Sequence, residues 1–374
     1  MKSGSPKFQN LCRLFFTGLK TAGLALLFQA VNLCAQTAVT GITYGSLVDN
    51  ANTNTGGITY LNRDREVSMV STSSLGDYQF NGPLATDVYF RRNTNSSNSG
   101  GHNQSNDNPN NSTLIYQVDG SGRSYGEYES NLEQMFLDGN LHTGLRNPFG
   151  NGPGTGTNSN IERIDFYFSG GYTVQAGDAL TFFDVENIGN FGDGFRIAAY
   201  TSVGNVNGFS NAPTAYANSG LMVPADSFGG PINNPLGGST ADYRRATFTN
   251  GDNLSGTASN IASAGELQLV GILISFADLG ISAGTTIYGY SLMAGDTAPV
   301  TAASLVNWNN ATYYPTDTDP AGYGNMDFMG FGAQIARPVP EPSTYGVILL
   351  AISAACLRIR SYFSRRRPAQ PLQA

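Results

Sequence analysis

Residues 267–276 read Leu-Gln-Leu-Val-Gly-Ile-Leu-Ile-Ser-Phe, and this run indicates the fold more strongly than any other part of the chain. Successive side chains of a β-strand point to opposite faces, so a strand through this run carries apolar side chains on both faces. Both faces of a strand are apolar where the sheet is covered on both sides. The run therefore predicts a central strand inside a β-rich body.

Other strand-like segments lie before and after this run, and Gly, Asn, Asp or Pro residues separate them. One helical signature interrupts them, a capping box formed by Ser130 and Glu133 before an apolar trio. Many short strands without long helices between them favour antiparallel sheets. We predict an all-β fold, with an antiparallel β-sandwich-like body and a short helix at 130–137. The predicted strands are residues 58–60, 66–70, 87–90, 114–118, 161–168, 179–185, 195–200, 243–248, 267–276 and 285–290.

Charge is distributed unevenly along the 374 residues. All three lysines lie in the first twenty residues, and five arginines lie in the last seventeen. Residues 36–340 contain 26 acidic residues and 11 arginines, which gives this part of the chain a net charge of −15. An acidic surface repels phosphate backbones, so we expect no nucleic-acid partner.

The three cysteines, Cys12, Cys34 and Cys356, all lie outside residues 36–340. A disulfide framework, a cysteine-ligated zinc ion and a thiol nucleophile are therefore excluded for this central part of the chain. Aromatic residues make up 11% of the sequence, whereas disordered chains are poor in them. We expect the central part to form an apolar core without disulfide bonds.

Residues 1–35 have the three-part arrangement of a secretory signal peptide. A basic region ends at Lys20, an apolar segment follows it, and the chain becomes polar after Ala35. A small residue marks the cleavage site of such a peptide. We predict cleavage after Ala35 and export of the residues that follow.

The C-terminal region contains an apolar stretch followed by arginines. Residues 345–363 are long enough for a single membrane helix, which needs about 20 residues. Positively charged residues stay on the cytoplasmic side of a membrane, which places residues 36–340 outside the cytoplasm. Residues 368–374 form a short tail. The cytoplasmic anchor charges are Arg358, Arg360, Arg365, Arg366 and Arg367.

The sequence Val339-Pro340-Glu341-Pro342 directly precedes the membrane segment. With the short helix and the arginines of residues 337–367, it resembles the PEP-CTERM sorting signal of Gram-negative bacteria. The resemblance implies that a membrane-embedded exosortase recognises this segment and cuts near the motif. It also implies association with an exopolysaccharide or biofilm matrix. Both prolines disfavour a helix, so we expect Glu341 to be extended and open to a protease.

Residues 36–336 are predicted to form the exported β-rich body. Within it, the Asn- and Ser-rich stretch 93–112 is predicted to be a loop. Residues 157–200 and 284–329 resemble a β-rich segment of uncharacterised bacterial surface proteins. That resemblance implies no known activity.

Asp184, Glu186 and Asp193 are the best candidates for a metal site. Calcium binds carboxylate and carbonyl oxygens in Gly-rich loops, so these residue types fit it. Their spacing matches no EF-hand loop, and solvated carboxylates in turns are the commoner alternative. Asp184 and Glu186 also form a pair of the kind that glycoside hydrolases use, although such pairs arise by chance among 26 acidic residues. No other cofactor is expected.

We expect a non-enzymatic protein of the cell surface or extracellular matrix, without catalytic residues. The alternative is a carbohydrate-binding surface module, in which an exposed aromatic platform stacks on sugars; the candidates are Trp308, Tyr313, Tyr314 and Tyr323. Packing into the core is the more frequent role of aromatic residues in β proteins. A secreted hydrolase is a minor alternative. Residues 122–126, Gly-Arg-Ser-Tyr-Gly, match a nucleophile elbow, but no helix is predicted after them and the only later histidine is His142.

Overall fold

The fold is taken from a computed structural model of the chain. The chain divides into two compact units, residues 1–35 and residues 36–374, and the first unit lies outside the described residues. In the second unit the structure describes residues 36–47, 54–55, 58–59, 65–92, 136–137, 139–141, 144–145, 148–150, 161–232, 245–246, 267–318, 326, 328, 332–340, 353–354 and 357–358.

Strands account for most of the described residues, and a 3₁₀ helix, Ala302–Leu305, follows the penultimate strand. In chain order the strands are β1 (Thr37–Leu47), β2 (Asn54–Thr55), β3 (Ile58–Thr59), β4 (Arg65–Thr72), β5 (Asp77–Gln79), β6 (Asp87–Arg92), β7 (Asn140–Leu141), β8 (Gly144–Leu145), β9 (Ile161–Thr173), β10 (Ala179–Asn187), β11 (Phe195–Val206), β12 (Phe209–Tyr216), β13 (Leu221–Val223), β14 (Gly229–Ile232), β15 (Arg245–Ala246), β16 (Leu267–Ser275), β17 (Thr286–Ala294) and β18 (Arg337–Pro338).

Two antiparallel sheets contain most of these strands. The larger sheet has eight strands in the order β10-β16-β1-β4-β5-β18, with β14 also paired to β16 and β7 also paired to β4. The smaller sheet has six strands in the order β12-β11-β17-β9-β6, with β13 also paired to β11. Two short pairs, β8 with β15 and β2 with β3, stand apart from both sheets. The prediction of an all-β fold is confirmed.

Strand β16 lies inside the larger sheet, between β10 and β1. Val270, Ile272 and Ile274 belong to a first core cluster, which they share with residues of the smaller sheet. Leu269 and Leu273 point the other way, into a second cluster built almost entirely from the larger sheet. All five side chains are fully buried. The prediction of a central strand buried on both faces is therefore confirmed.

The larger sheet curls until its two ends meet. Ala179, the first residue of β10, exchanges two backbone hydrogen bonds with Ala336, which directly precedes β18 (3.0 and 2.9 Å). Both alanines belong to the second cluster, together with Val39 of β1 and Tyr78 of β5. The second cluster therefore fills the inside of the curled sheet, and the C-terminal strand closes it.

A third apolar cluster lies on the outer face of the smaller sheet. Tyr200 of β11, Tyr216 of β12 and Met293 of β17 pack there against Leu305 and Trp308. Leu305 ends the 3₁₀ helix and Trp308 follows in the next turn, so the segment after β17 covers this face. The smaller sheet is therefore also buried on both faces.

Only parts of the two predicted helices, 130–137 and 345–363, lie among the described residues. Residues 136–137 are helical, as are residues 353–354 and 357–358 within the predicted membrane segment. Across the described ranges, no helix is both long enough and apolar enough to span a bilayer. The rest of 345–363, the loop 93–112 and the predicted strand 114–118 lie outside the described residues.

Candidate functional site

The three predicted cation ligands, Asp184, Glu186 and Asp193, lie together in the structure. Asp184 and Glu186 are two residues apart on β10 and therefore point to the same face of the sheet. Asp193 lies in the loop that joins β10 to β11, and one ligand oxygen from each carboxylate lies within 4.8 Å of the other two. Asp184 is fully buried, Glu186 is 7% exposed and Asp193 is half-buried.

The loop between β10 and β11 brings Asp193 back over the strand. Gly192 has a φ of 87°, a conformation that glycine adopts without strain. A side chain at Gly192 would also overlap the ring of Phe228, so the loop can pack this closely only with glycine. The backbone N–H of Asp193 then donates a hydrogen bond to Oδ2 of Asp184 (2.9 Å).

Further hydrogen bonds fix the site in place. Oδ1 of Asp184 accepts a hydrogen bond from the backbone N–H of Val185 (2.8 Å). Gln268 of β16 lies opposite Glu186, and its side-chain amide donates to the carbonyl of Asn190 in the loop. The carboxylates are therefore held at defined positions by two neighbouring strands and the loop above them.

This arrangement offers carboxylate oxygens from three side chains to a single cation. Calcium takes six to eight oxygen ligands at about 2.3–2.6 Å, so three carboxylates supply part of its shell. The alternative role of Asp184 and Glu186 in glycoside hydrolysis finds no support, because Asp184 is fully buried and a polysaccharide cannot reach it. The proximity of the three carboxylates is consistent with a calcium site, and calcium binding stays a prediction.

We expect millimolar calcium to raise the melting temperature of the protein and a chelator to reverse the shift. A ligand at 100 times its Kd stabilises a folded protein by about 2.7 kcal/mol. Glu186→Gln keeps the size of the side chain and removes one charge, so it should raise the calcium concentration required about tenfold, or ~1.4 kcal/mol. Thermal unfolding across a calcium titration measures both effects. Asp87→Asn, on β6 of the smaller sheet, is the control, and an unchanged wild-type melting temperature would exclude calcium here.

The residues proposed for a sugar-stacking platform do not form one. Trp308 and Tyr314 are fully buried in the third cluster, and Tyr313 is half-buried. The Trp308 ring packs against Phe209 of β12, with 5.7 Å between the ring centroids. Stacking on a sugar requires an exposed ring face, so the platform interpretation is wrong for Trp308 and Tyr314.

A buried group of charges lies beside Trp308, and sequence reasoning missed it. Asp165 of β9 accepts hydrogen bonds from Arg91 of β6 and from Arg163 of its own strand. Nε of Arg91 lies 2.8 Å from Oδ2 of Asp165, and Nε of Arg163 lies 2.6 Å from Oδ1. All three side chains are at most 1% exposed. Arg163 and Asp165 alternate with Ile164 and Phe166 in β9, a pattern that ordinarily places the charged side chains on a solvent-exposed face, so the sequence carried no signal of their burial.

Further polar and aromatic groups surround these charges. The hydroxyl of Ser291 donates to Oδ1 of Asp165 (2.6 Å). The guanidinium carbons of Arg163 and Arg91 lie 4.9 and 5.2 Å from the centroid of the Trp308 ring, within the range of a cation–π interaction. The group therefore binds β6, β9 and β17 to the segment that covers the smaller sheet.

The charges of this group influence one another strongly. Burial alone would raise the pKa of Asp165, but the charges of Arg163 and Arg91 and their hydrogen bonds hold that pKa below its ordinary value. Burial would likewise lower the pKa of Arg163, whereas Asp165 holds it well above its ordinary value. Asp165 and Arg163 are therefore an ion pair at neutral pH, and their role in the fold is structural.

Side-chain and backbone contacts fix the residues just before Pro340. Nε of Arg337 lies 3.4 Å from Oδ1 of Asp178, which is buried. The backbone N–H of Val339 donates to the carbonyl of Asp77 (2.8 Å), and Pro340, the next residue, is exposed. Strand β18 and Val339 thus extend the folded body beyond the predicted boundary at residue 336.

Val339 and Pro340 are the only described residues of the predicted sorting motif, because Glu341 and Pro342 lie outside the described part of the chain. The predicted cleavage residue Ala35, the nucleophile-elbow match at 122–126, His142 and Tyr323 also lie outside it. Among the C-terminal arginines, only Arg358 is described, in an exposed helical position. The remaining arginines, Arg360, Arg365, Arg366 and Arg367, lie outside the described residues.

The chain was also compared with known proteins. No protein-family model, no curated protein and no solved structure matches it.

Proposed function

We propose that this chain is an exported, non-enzymatic protein of the bacterial cell surface or extracellular matrix, processed at its C-terminal Pro-Glu-Pro signal. The observation that carries the proposal is the position of this signal. Val339 is still hydrogen-bonded to the folded body, Pro340 is exposed, and Glu341 follows at once. In this proposal, a membrane-embedded exosortase recognises the signal next to the last described residues of the body, while the C-terminal helix holds the precursor in the membrane.

The start of the folded body supports the same proposal. Gln36, the residue after the predicted signal cleavage site, opens the second compact unit. Strand β1 begins one residue later, at Thr37. Removal of residues 1–35 therefore leaves every described strand intact, as export by a cleaved signal peptide requires.

Residues 332–339, which we call the C-terminal strap, belong to the body rather than to a linker. Ala333 and Ile335 are buried in the first cluster, and Ala336 is buried in the second. A cut within the strap would remove apolar side chains from two clusters, whereas a cut at or after Pro340 removes none of them. The strap therefore favours processing at the Pro-Glu-Pro signal without loss of the fold.

The surface of the body suits a hydrated matrix. Among the described residues of the body, large apolar side chains that are strongly exposed are limited to Ile188 and Val300. Residues 36–340 carry a net charge of −15 and contain no cysteine. A polar, acidic and cysteine-free body stays soluble in a matrix and folds without an oxidant. We therefore propose exopolysaccharide as the surroundings of the mature protein, and the structural role over a carbohydrate-binding module.

Glu341→Ala should block removal of the C-terminal segment in the native host. If the exosortase recognises the Glu341 carboxylate as well as the two prolines, the variant keeps its folded body and retains residues 345–374. The intact mass of protein isolated from the host distinguishes the two forms. Ser343→Ala, two residues further on, is the matched control and should be processed like the wild type.

A wild-type protein that keeps its full-length C-terminus in the host would contradict the sorting proposal altogether. Normal processing of Glu341→Ala would instead show that the prolines alone are recognised. The same preparations, incubated with glycan and ester substrates, test the non-enzymatic part of the proposal, which turnover by the wild type would contradict.

A further inference from the structure

Gln36, the first residue after the predicted signal cleavage site, is held in an unusual way. Its φ is 57°, in the left-handed region that residues other than glycine seldom adopt. Its backbone N–H donates to Oδ2 of Asp278, 3.3 Å away. Its side-chain amide donates to the carbonyl of Met222 (2.9 Å). The turn after β16 therefore holds the main chain of this one residue, and strand β13 holds its side chain.

The carboxylate that receives Gln36 is itself fixed. Oδ2 of Asp278 also accepts hydrogen bonds from the backbone N–H and the hydroxyl of Ser275 (2.9 and 2.7 Å), at the end of β16. In return, the N–H of Asp278 donates to the Ser275 hydroxyl (3.1 Å). The hydrogen bonds with Ser275 therefore hold the Asp278 carboxylate in place beside Gln36. Its position does not depend on the hydrogen bond from Gln36.

We propose that Asp278 is a docking site for the α-ammonium group that forms on Gln36 when the chain is cut after Ala35. The inference rests on the proposed export, which supplies the cut. In the mature chain the nitrogen that lies 3.3 Å from Asp278 gains a positive charge, so the hydrogen bond becomes an ion pair. The cut also removes the carbonyl carbon that defines φ at Gln36, which releases the left-handed strain.

Docking has a chemical consequence, because an N-terminal glutamine can cyclise. In that reaction the neutral α-amine attacks Cδ of its own carboxamide, and a bond forms between the α-nitrogen and Cδ. The bond from Cδ to Nε2 breaks. Nε2 takes up the proton that the amine loses and leaves as ammonia. An α-ammonium paired with Asp278 has no lone pair for this attack. The hydrogen bond from Nε2 to the Met222 carbonyl also keeps the carboxamide away from the nitrogen. The mature protein should therefore keep an open N-terminal glutamine.

The test uses full-length precursors of the wild type, Asp278→Asn and Asp226→Asn, each expressed in a host that exports them. Asp226 is the matched control, since its carboxylate accepts a backbone hydrogen bond from Phe191 (3.0 Å) in a different loop. The N-terminal residue and the intact mass of the mature proteins are followed during storage. We expect wild type and Asp226→Asn to start with Gln36 and to stay open, and Asp278→Asn to lose ammonia about tenfold faster, the equivalent of ~1.4 kcal/mol of docking.

The outcomes separate docking from export. A first residue other than Gln36 would overturn both the cleavage site and the docking. A wild-type protein that starts with Gln36 but loses ammonia as fast as Asp278→Asn would overturn the docking alone. If Asp278→Asn fails to accumulate, the rate of ammonia loss of the folded wild type is compared with that of the wild type unfolded in urea at the same pH. Loss of ammonia that accelerates on unfolding supports docking, and an equal rate in the folded and unfolded chain contradicts it.

Discussion

Asp165→Asn should lower the free energy of unfolding by about 3–5 kcal/mol, the usual cost of removing one partner from a buried ion pair. Asparagine has nearly the size of aspartate, so the variant leaves no cavity. It removes the charge and replaces one of two accepting oxygens with an NH2 group, which cannot accept a hydrogen bond from an arginine. Arg91 and Arg163 then stay buried without the carboxylate that faces both of them at 2.8 and 2.6 Å. Urea unfolding measures the loss, and we expect the midpoint to fall with an unchanged m-value.

Asp87→Asn is the control for this prediction. Asp87 lies at the start of β6, where its carboxylate accepts a hydrogen bond from the hydroxyl of Thr86 (2.9 Å) near the surface. Its replacement should change the free energy of unfolding by no more than about 0.5 kcal/mol. A loss below about 1 kcal/mol for Asp165→Asn would contradict the view that Asp165 balances the two arginines.

The dependence of stability on pH gives the same prediction a second readout. The pKa of Asp165 is lowered in the folded protein, so the unfolded chain takes up a proton on this residue first as the pH falls. Its contribution is complete above the ordinary aspartate pKa of about 3.9 and is lost as the pH falls through the lower, folded value. Asp165→Asn has no such proton to bind, so its stability should fall less steeply in acid.

The strands were predictable where burial leaves a pattern in neighbouring residues. The run at β16 is apolar at adjacent positions because Val270 and Leu269 enter different clusters, and the sequence alone indicates this. Asp184 and Glu186 could likewise be placed together, because residues two apart on a strand share a face. Asp193 joins them through the loop after β10, whose Gly-rich sequence indicated a turn.

Other features depend on parts of the chain that are distant in sequence. Arg91 and Asp165 are 74 residues apart, so no local pattern links them.

Strands β12 and β18 contain Pro213 and Pro338, which argue against strands when read alone. Proline lacks an N–H, yet β12 lies at the edge of the smaller sheet and β18 ends the path of the larger one, so one missing donor is tolerated there. Trp308 was placed on the surface because no local signal shows that it covers a sheet.

Gly289→Ala should cost more than about 4 kcal/mol, a loss that points to a specific structural clash rather than to ordinary repacking. At this glycine the register between β17 and β9 shifts, and φ is 153°. A methyl group would overlap the carbonyl oxygen of Phe166 and the hydroxyl of Tyr200. That hydroxyl donates to the same carbonyl (2.6 Å), and both side chains are fully buried, so neither can move aside without disturbing a core cluster.

Gly284→Ala separates this clash from the effect of backbone conformation. Gly284 has a φ of 89°, and a methyl group there would meet nothing within 4 Å, so its replacement carries only the conformational cost of about 1–2 kcal/mol. The excess loss in Gly289→Ala then measures the overlap itself. Adding Tyr200→Phe to Gly289→Ala removes the hydroxyl that the methyl group meets and should recover part of that excess. If the two alanine variants lose the same free energy of unfolding in urea, the overlap of the methyl group with the Phe166 carbonyl and the Tyr200 hydroxyl has no measurable cost, and the prediction is wrong.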